Sequence, residues 1–238
     1  MTHTGTRLGV VTIGQTPRVD LTPELVGLLP GVTLVERGVL DGCTPQEIAS
    51  FAPEPGDHVL TTRLAGGGST VIGEATVLRR LPGLLAELEH EVDAVLLACT
   101  GPFPALAHTK PLFVPDRIIA HAVAAVVDDG GAVGVIAPLA EQTQDTTRKF
   151  ARVLGRGTRV AVAASSPYTD DERTLRAGAE ELASGGAEVI ALDCFGYTDA
   201  MRDAVAEASG LPVVVARSVA ARLAAEVLGA RGSAPSGS

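Results

Sequence analysis

Two stretches decide the fold: "EVDAVLLACTGPF" at residues 91–103 and "GAEVIALDCFGYT" at 186–198. Each is a short apolar run that reaches a cysteine and passes at once into turn-forming residues. Four or five apolar residues bounded in this way read as a strand buried on both faces, as in a parallel sheet covered by helices. Aligned on Cys99 and Cys194, the two stretches correspond almost position by position. The chain reads as one unit written twice.

Outward from these anchors, short Val/Ile/Leu-rich runs alternate with helical patterns, the signature of βα units. Ahead of Cys99 come a strand over 8–13, a turn at Gly14–Arg18 and a helix opening at Thr22, with Pro23 in its first turn. A strand over 33–37 follows. Thr44-Pro45-Gln46-Glu47 has the form of a capping box, and residues 58–72 read as a hairpin about a glycine turn. A helix over 74–90 leads into a strand at 94–98.

Ahead of Cys194 the order repeats: strand 132–137, helix 139–154, strand 160–164, a capping box at Thr169-Asp170-Asp171-Glu172 opening a helix to 184, and strand 189–192. Gly14 to Cys99 spans 85 positions and Ala137 to Cys194 only 57, an excess of 28 in the first half. An insertion at about 41–72, holding the capped helix and the hairpin, accounts for it. Beyond the cysteines, apolar runs at 112–114 and 213–215 precede helices predicted to be capped by Asp116 and Ser218 and to reach about 127 and 228. The fold class is therefore α/β: two pseudo-symmetric parallel-sheet domains, with a cleft expected between them.

Composition narrows the function. The 238 residues are 46% hydrophobic and 20% charged, so a sizeable core can be buried. Aromatics are only 3%, with no Trp, and the net charge is -9. Stacking platforms and basic stripes are both missing, which argues against nucleic acid as a partner. No apolar run approaches the roughly 20 residues of a membrane span, and the N-terminal residues lack the pattern of a signal peptide. Three cysteines without a C-x-x-C pair describe neither a disulfide framework nor a zinc site. A cytoplasmic protein with no membrane partner is expected, a homodimer being the commonest default. The last residues, 231–238, are expected to be a disordered tail.

Ligands of open parallel sheets bind beyond the carboxyl ends of the strands. Four groups of residues stand at such ends. They are Thr12, Gly14, Gln15, Thr16 and Arg18; Cys99 with Thr100 and Gly101; Pro138, Glu141 and Gln142; and Cys194 with Phe195, Gly196 and Tyr197. The first group offers backbone amides, hydroxyls and a guanidinium to a carboxylate. A polar turn with an exposed arginine is the plainer reading of the same residues. A buried free cysteine is usually a small core residue; two of them at matching strand ends also suit opposed acid/base chemistry. A thiolate can take a proton from one face of a carbon acid while a thiol returns one to the other, provided the thiol pKa is lowered. Cys43 has no such counterpart and carries no role. The five histidines lack ligand spacing, and no G-x-G-x-x-G follows a strand. No metal and no cofactor is expected.

The segments "TIGQTPR" (12–18), "TTRLAGGGSTV" (61–71), "VLLACTG" (95–101) and "VIALDCFGY" (189–197) together resemble the AroM family, within the aspartate/glutamate/hydantoin racemase superfamily. "ACTGPFPAL" (98–106) is similar to the hydantoin racemase form of the first cysteine motif. The resemblance implies two pseudo-symmetric domains about a shared site and a C-terminal segment returning to the first domain. That gives residues 1–115 plus 212–230, and 116–211. It implies Cys99 and Cys194 as the two bases and Gly14–Arg18 as the carboxylate loop. Neither cysteine is followed by the Asn-Thr or Thr-His of glutamate racemases, which speaks against a free amino dicarboxylate. The expected activity is a cofactor-independent racemase or epimerase acting on a small carboxylate or cyclic amide. A one-cysteine cis–trans isomerase or decarboxylase and a non-catalytic small-molecule sensor are the alternatives.

Overall fold

The apolar runs form two four-stranded parallel sheets in a computed structural model that describes residues 5–230. The first half is β1 (Arg7–Thr12), α1 (Thr22–Leu28), β2 (Thr33–Gly38), α2 (Pro45–Ala49), β3 (Val59–Arg63), β4 (Ser69–Gly73), α3 (Glu74–Leu88), β5 (Ala94–Leu97), β6 (Leu112–Phe113) and α4 (Pro115–Ala124). The second is β7 (Ala132–Ala137), a 3-10 turn (Ala140–Gln142), α5 (Thr143–Ala151), β8 (Arg159–Ala164), α6 (Glu172–Ser184), β9 (Val189–Leu192), α7 (Asp199–Ser209), β10 (Val213–Val215) and α8 (Ala216–Val227). The sheets are ordered β2-β1-β5-β6 and β8-β7-β9-β10, the same order twice. The β3–β4 hairpin is a separate antiparallel pair, present in the first half only. The predicted tail at 231–238 lies outside the described residues.

The chain divides into two compact units. Among the described residues, one holds 5–99, Phe103–Val114 and 220–230; the other holds Thr100–Pro102 and Pro115–Val219. The return to the first unit falls inside α8 and not at residue 212, because β10 hydrogen-bonds to β9, with Val215 opposite Leu192.

Each unit has its own core. In the first, Val11, Val95 and Leu97 of the sheet pack with Val77, Leu81, Leu85 and Leu88 of α3 and with Leu60 and Ile72 of the hairpin. The hairpin insertion thus extends this core. In the second, Ile136, Ile190 and Leu192 pack with Leu175, Ala179 and Leu182 of α6. Burying side chains of this size stabilises by about 1.5–3 kcal/mol each. A glycine in the third position of the central strand sets the helix height in both units. A Cβ on Gly9 would lie 2.6 Å from the Leu88 side chain, and one on Gly134 would lie 3.1 Å from the Leu182 Cβ. The repeat seen in the sequence is a repeat of packing.

Three predicted helix starts are displaced. The helix at 172 is capped by Asp171, whose side chain accepts from the Thr174 amide, and not by Thr169. Thr169 instead donates its hydroxyl to Asp170. Asp116 is in the first turn of α4, which starts at Pro115, and Ser218 lies inside α8, donating to Asp199 at 3.3 Å. The box at 44–47 forms in full, with both reciprocal hydrogen bonds made. The helix α7 was missed by the sequence reading.

Candidate active site

In the first unit β5 ends against β1, its register placing Leu97 opposite Val11. The Ala98 amide still bonds to the Val11 carbonyl at 2.7 Å. Cys99 is thereby held at the carboxyl edge, beside the turn that follows β1. It is buried in the core cluster that also includes Phe103.

That turn is tightly built. Arg18 is only 3% exposed, contrary to the plain reading of it as a surface residue. It grips both Asp20 oxygens at 2.8 Å and donates a third bond to the buried Thr12 hydroxyl at 2.7 Å. This two-nitrogen fork is the one by which an arginine takes a carboxylate. Burial lifts the Asp20 carboxyl, but the hydrogen bonds and charge of Arg18 outweigh it and hold the pKa below its usual value. Thr16 gives its amide and hydroxyl to Asp41, each at 2.7 Å. The Gln15 side chain bridges Leu40 and Ala65. Gly14 passes so close to the hairpin that a Cβ would lie 2.2 Å from the Arg63 carbonyl oxygen. The predicted hairpin and Asp41, which was not singled out in the sequence, shape this loop.

In the second unit the Asp193 amide bonds to the Ile136 carbonyl at 2.9 Å, so Cys194 leaves β9 at the corresponding strand end. Pro138, just past β7, is buried nearby in the strand order, whereas Glu141 is exposed. The Cys194 sulfur receives the Gly196 amide at 3.4 Å and lies 3.9 Å from the Tyr168 hydroxyl. Gly196 permits this, since a Cβ there would lie 2.6 Å from the Tyr168 ring. Phe195 is buried and Tyr197 is fully buried, its hydroxyl donating to the Ser165 carbonyl. Burial, with Cys194 and Asp193 beside it, pushes the Tyr197 phenol well above its ordinary pKa.

Thr100 and Gly101 belong to this unit. The Thr100 hydroxyl donates to the Asp193 carbonyl at 2.9 Å. Lys149 reaches the Asp193 carboxylate at 2.6 Å, Asp116 at 3.1 Å and the Thr100 carbonyl at 3.2 Å. Burial works against the lysine's charge, yet the two carboxylates outweigh it and raise its pKa. The Asp193 carboxyl is raised by burial, which Lys149 only partly offsets. Sequence reading missed Lys149 because it lies mid-helix, far along the chain from either cysteine; a lysine beside Phe150 on an apolar helix face was the available signal.

A cavity of about 250 Å³ opens in this unit between the first turns of α6 and α7. Ser165, Ser166, Asp170, Leu175, Tyr197 and Met201 are among the residues that line it. Among the described residues no three His, Cys, Asp or Glu side chains cluster as a metal site would require. No described helix is long and apolar enough to cross a membrane.

Two sheets of one topology each deliver a cysteine from the third strand, and residues 8–228 fit the family described as AroM protein. The chain belongs to the AroM protein family. No curated protein matches it. Among solved structures, this AroM protein is similar to the aspartate racemase of Picrophilus torridus, with TM-score 0.61 and 13% identity over 95% of this chain and 96% of that one. It is similar to a glutamate racemase of Bacillus anthracis, with TM-score 0.62 and 14% identity over 95% and 83%. It is also similar to arylmalonate decarboxylase, with TM-score 0.59 and 16% identity over 96% and 94%. At such identities the likeness is one of fold.

Proposed function

We propose that this AroM protein is a cofactor-independent racemase or epimerase acting at the α-carbon of a small carboxylate or cyclic amide. Cys99 and Cys194 are its acid/base pair. The observation that carries the reading is their equivalence: each follows the third strand of a sheet of the same order, at the edge where parallel sheets bind ligands. Inversion needs a proton taken from one face and returned to the other, and two thiols at matching strand ends supply two such groups. The Gly196 amide on the Cys194 sulfur favours the thiolate.

In this reading the Gly14–Arg18 turn receives the substrate's carboxylate. Arg18 grips Asp20 and Thr16 grips Asp41, so those two residues give the turn its shape. Thr100 and Tyr197, whose hydroxyls are committed to main-chain carbonyls, shape the second strand end.

The test is incubation of single enantiomers of amino acids, hydantoins and 2-aryl acids in deuterated water. Deuterium entering the α-position, with loss of optical purity, is the expected result. Loss of carbon dioxide without inversion would make the protein a decarboxylase. Binding without exchange would make it a sensor.

A further inference from the structure

Lys149 stands at the centre of a half-buried cluster, two of whose members adjoin the two cysteines in the chain. An ammonium has three N–H donors. Here hydrogen bonds run to the Asp193 carboxylate at 2.7 Å and the Thr100 carbonyl at 3.2 Å, and the Asp116 carboxylate adds an ion pair at 3.1 Å. Thr100 is also tied through its hydroxyl to the Asp193 carbonyl at 2.9 Å. Thr100 directly follows Cys99, and Asp193 directly precedes Cys194. The base of the lysine is fixed as well, because α5 buries Phe150 and Thr146 completely or nearly so.

Two carboxylates and a carbonyl anchor the Lys149 ammonium. We propose that it is a positioning residue, clamping the peptide after Cys99 and the peptide before Cys194 to one charge cluster. This rests on the two-cysteine reading above. Proton transfer tolerates little misplacement, and a shift of about 1 Å can cost a hundredfold in rate. A supporting cluster of this kind fixes the residue next to each thiol.

The test is the iodoacetamide alkylation rate of each cysteine, resolved by peptide mass spectrometry on the full chain, alongside the melting temperature. Cys43 is the internal reference, since it packs against the first unit's core and is distant in sequence from Thr100, Asp116, Lys149 and Asp193. Thr100→Val removes one neutral hydrogen bond without disturbing the buried charges. It is expected to raise the rates of both Cys99 and Cys194 about fivefold, the effect of one such bond, and to leave Cys43 unchanged. Lys149→Met is expected to raise both rates further, and Lys149→Arg to restore part of the protection.

Equal acceleration of all three cysteines would mean general loosening and would overturn the proposal. So would a Thr100→Val protein in which Cys194 keeps its wild-type rate. On a substrate that exchanges, Thr100→Val should lower kcat and leave KM within about twofold; an unchanged kcat would also overturn it. Should the wild type exchange no substrate, the racemase reading fails, while the alkylation rates still decide whether the cluster couples the two thiols.

Discussion

After Cys99 the chain runs from Thr100 to Pro111 without a helix before reaching β6; after Cys194 only three residues pass before Thr198 caps α7. The sequences explain the difference. Pro102, Pro104 and Pro111 break the first segment, which is pinned at its far end by the Glu89 carboxylate on the Thr109 and Lys110 amides. The second offers a Thr-Asp start and an Ala-rich run, and its helix ends on Gly210 in a left-handed conformation at φ 70°. One strand end is therefore fixed by its own helix. The other is fixed by what captures it. Two copies of one sheet have come to hold their cysteines by different means.

The largest expected effect lies in the charges. Lys149→Met strands the buried Asp193 beside Asp116 and should destabilise by about 3–5 kcal/mol in urea unfolding. Arg18→Met in the first unit should cost less, because Asp20 is 25% exposed and can rehydrate. Equal losses would remove the contrast between the two clusters.

Acid should act on the two clusters with opposite sign. The Asp20 pKa is lowered on folding, so its contribution is complete above the unfolded value near 3.8 and is lost as pH falls through the folded value. Asp20→Asn should therefore cost about 2 kcal/mol at pH 7, with the gap to wild type closing as pH falls through the folded Asp20 value. The Asp193 pKa is raised, so its ionisation opposes folding as pH rises from 3.8 through the folded value. Unfolding midpoints of Asp193→Asn should thus show a gain relative to wild type as pH rises through that window. A parallel response from both variants would contradict these assignments.

Smaller effects sharpen the helix assignments. Thr198→Ala and Asp171→Ala should each cost about 1 kcal/mol, the usual loss of an N-cap. Thr169→Ala should cost almost nothing, since Thr169 caps no helix. Thermal or urea unfolding of the three variants checks this.

The strands, the inserted hairpin and the equivalence of Cys99 and Cys194 were legible because they rest on local signals: apolar runs, a glycine turn, and cysteines at matching ends. Helix starts were legible where one cap competed, as at Thr44. They were misread where Thr169 and Asp171 offered caps two residues apart, and only packing of α6 on its sheet selects between those. The environment of each candidate residue was not legible. Arg18 could be read as a free guanidinium because its partner Asp20 and the contacts of Asp41 with Thr16 depend on how the loop folds back. Lys149 could not be connected with Thr100 and Asp193 at all, since their meeting depends on strand order and helix rotation.

The central claim is that two thiols act on opposite faces of one carbon. Its most direct measurement is α-deuterium exchange of each enantiomer by Cys99→Ser and by Cys194→Ser. Each substitution should lower inversion at least about a hundredfold, and each should spare wash-in for the enantiomer whose proton the remaining cysteine removes. Full inversion by either variant would contradict the claim.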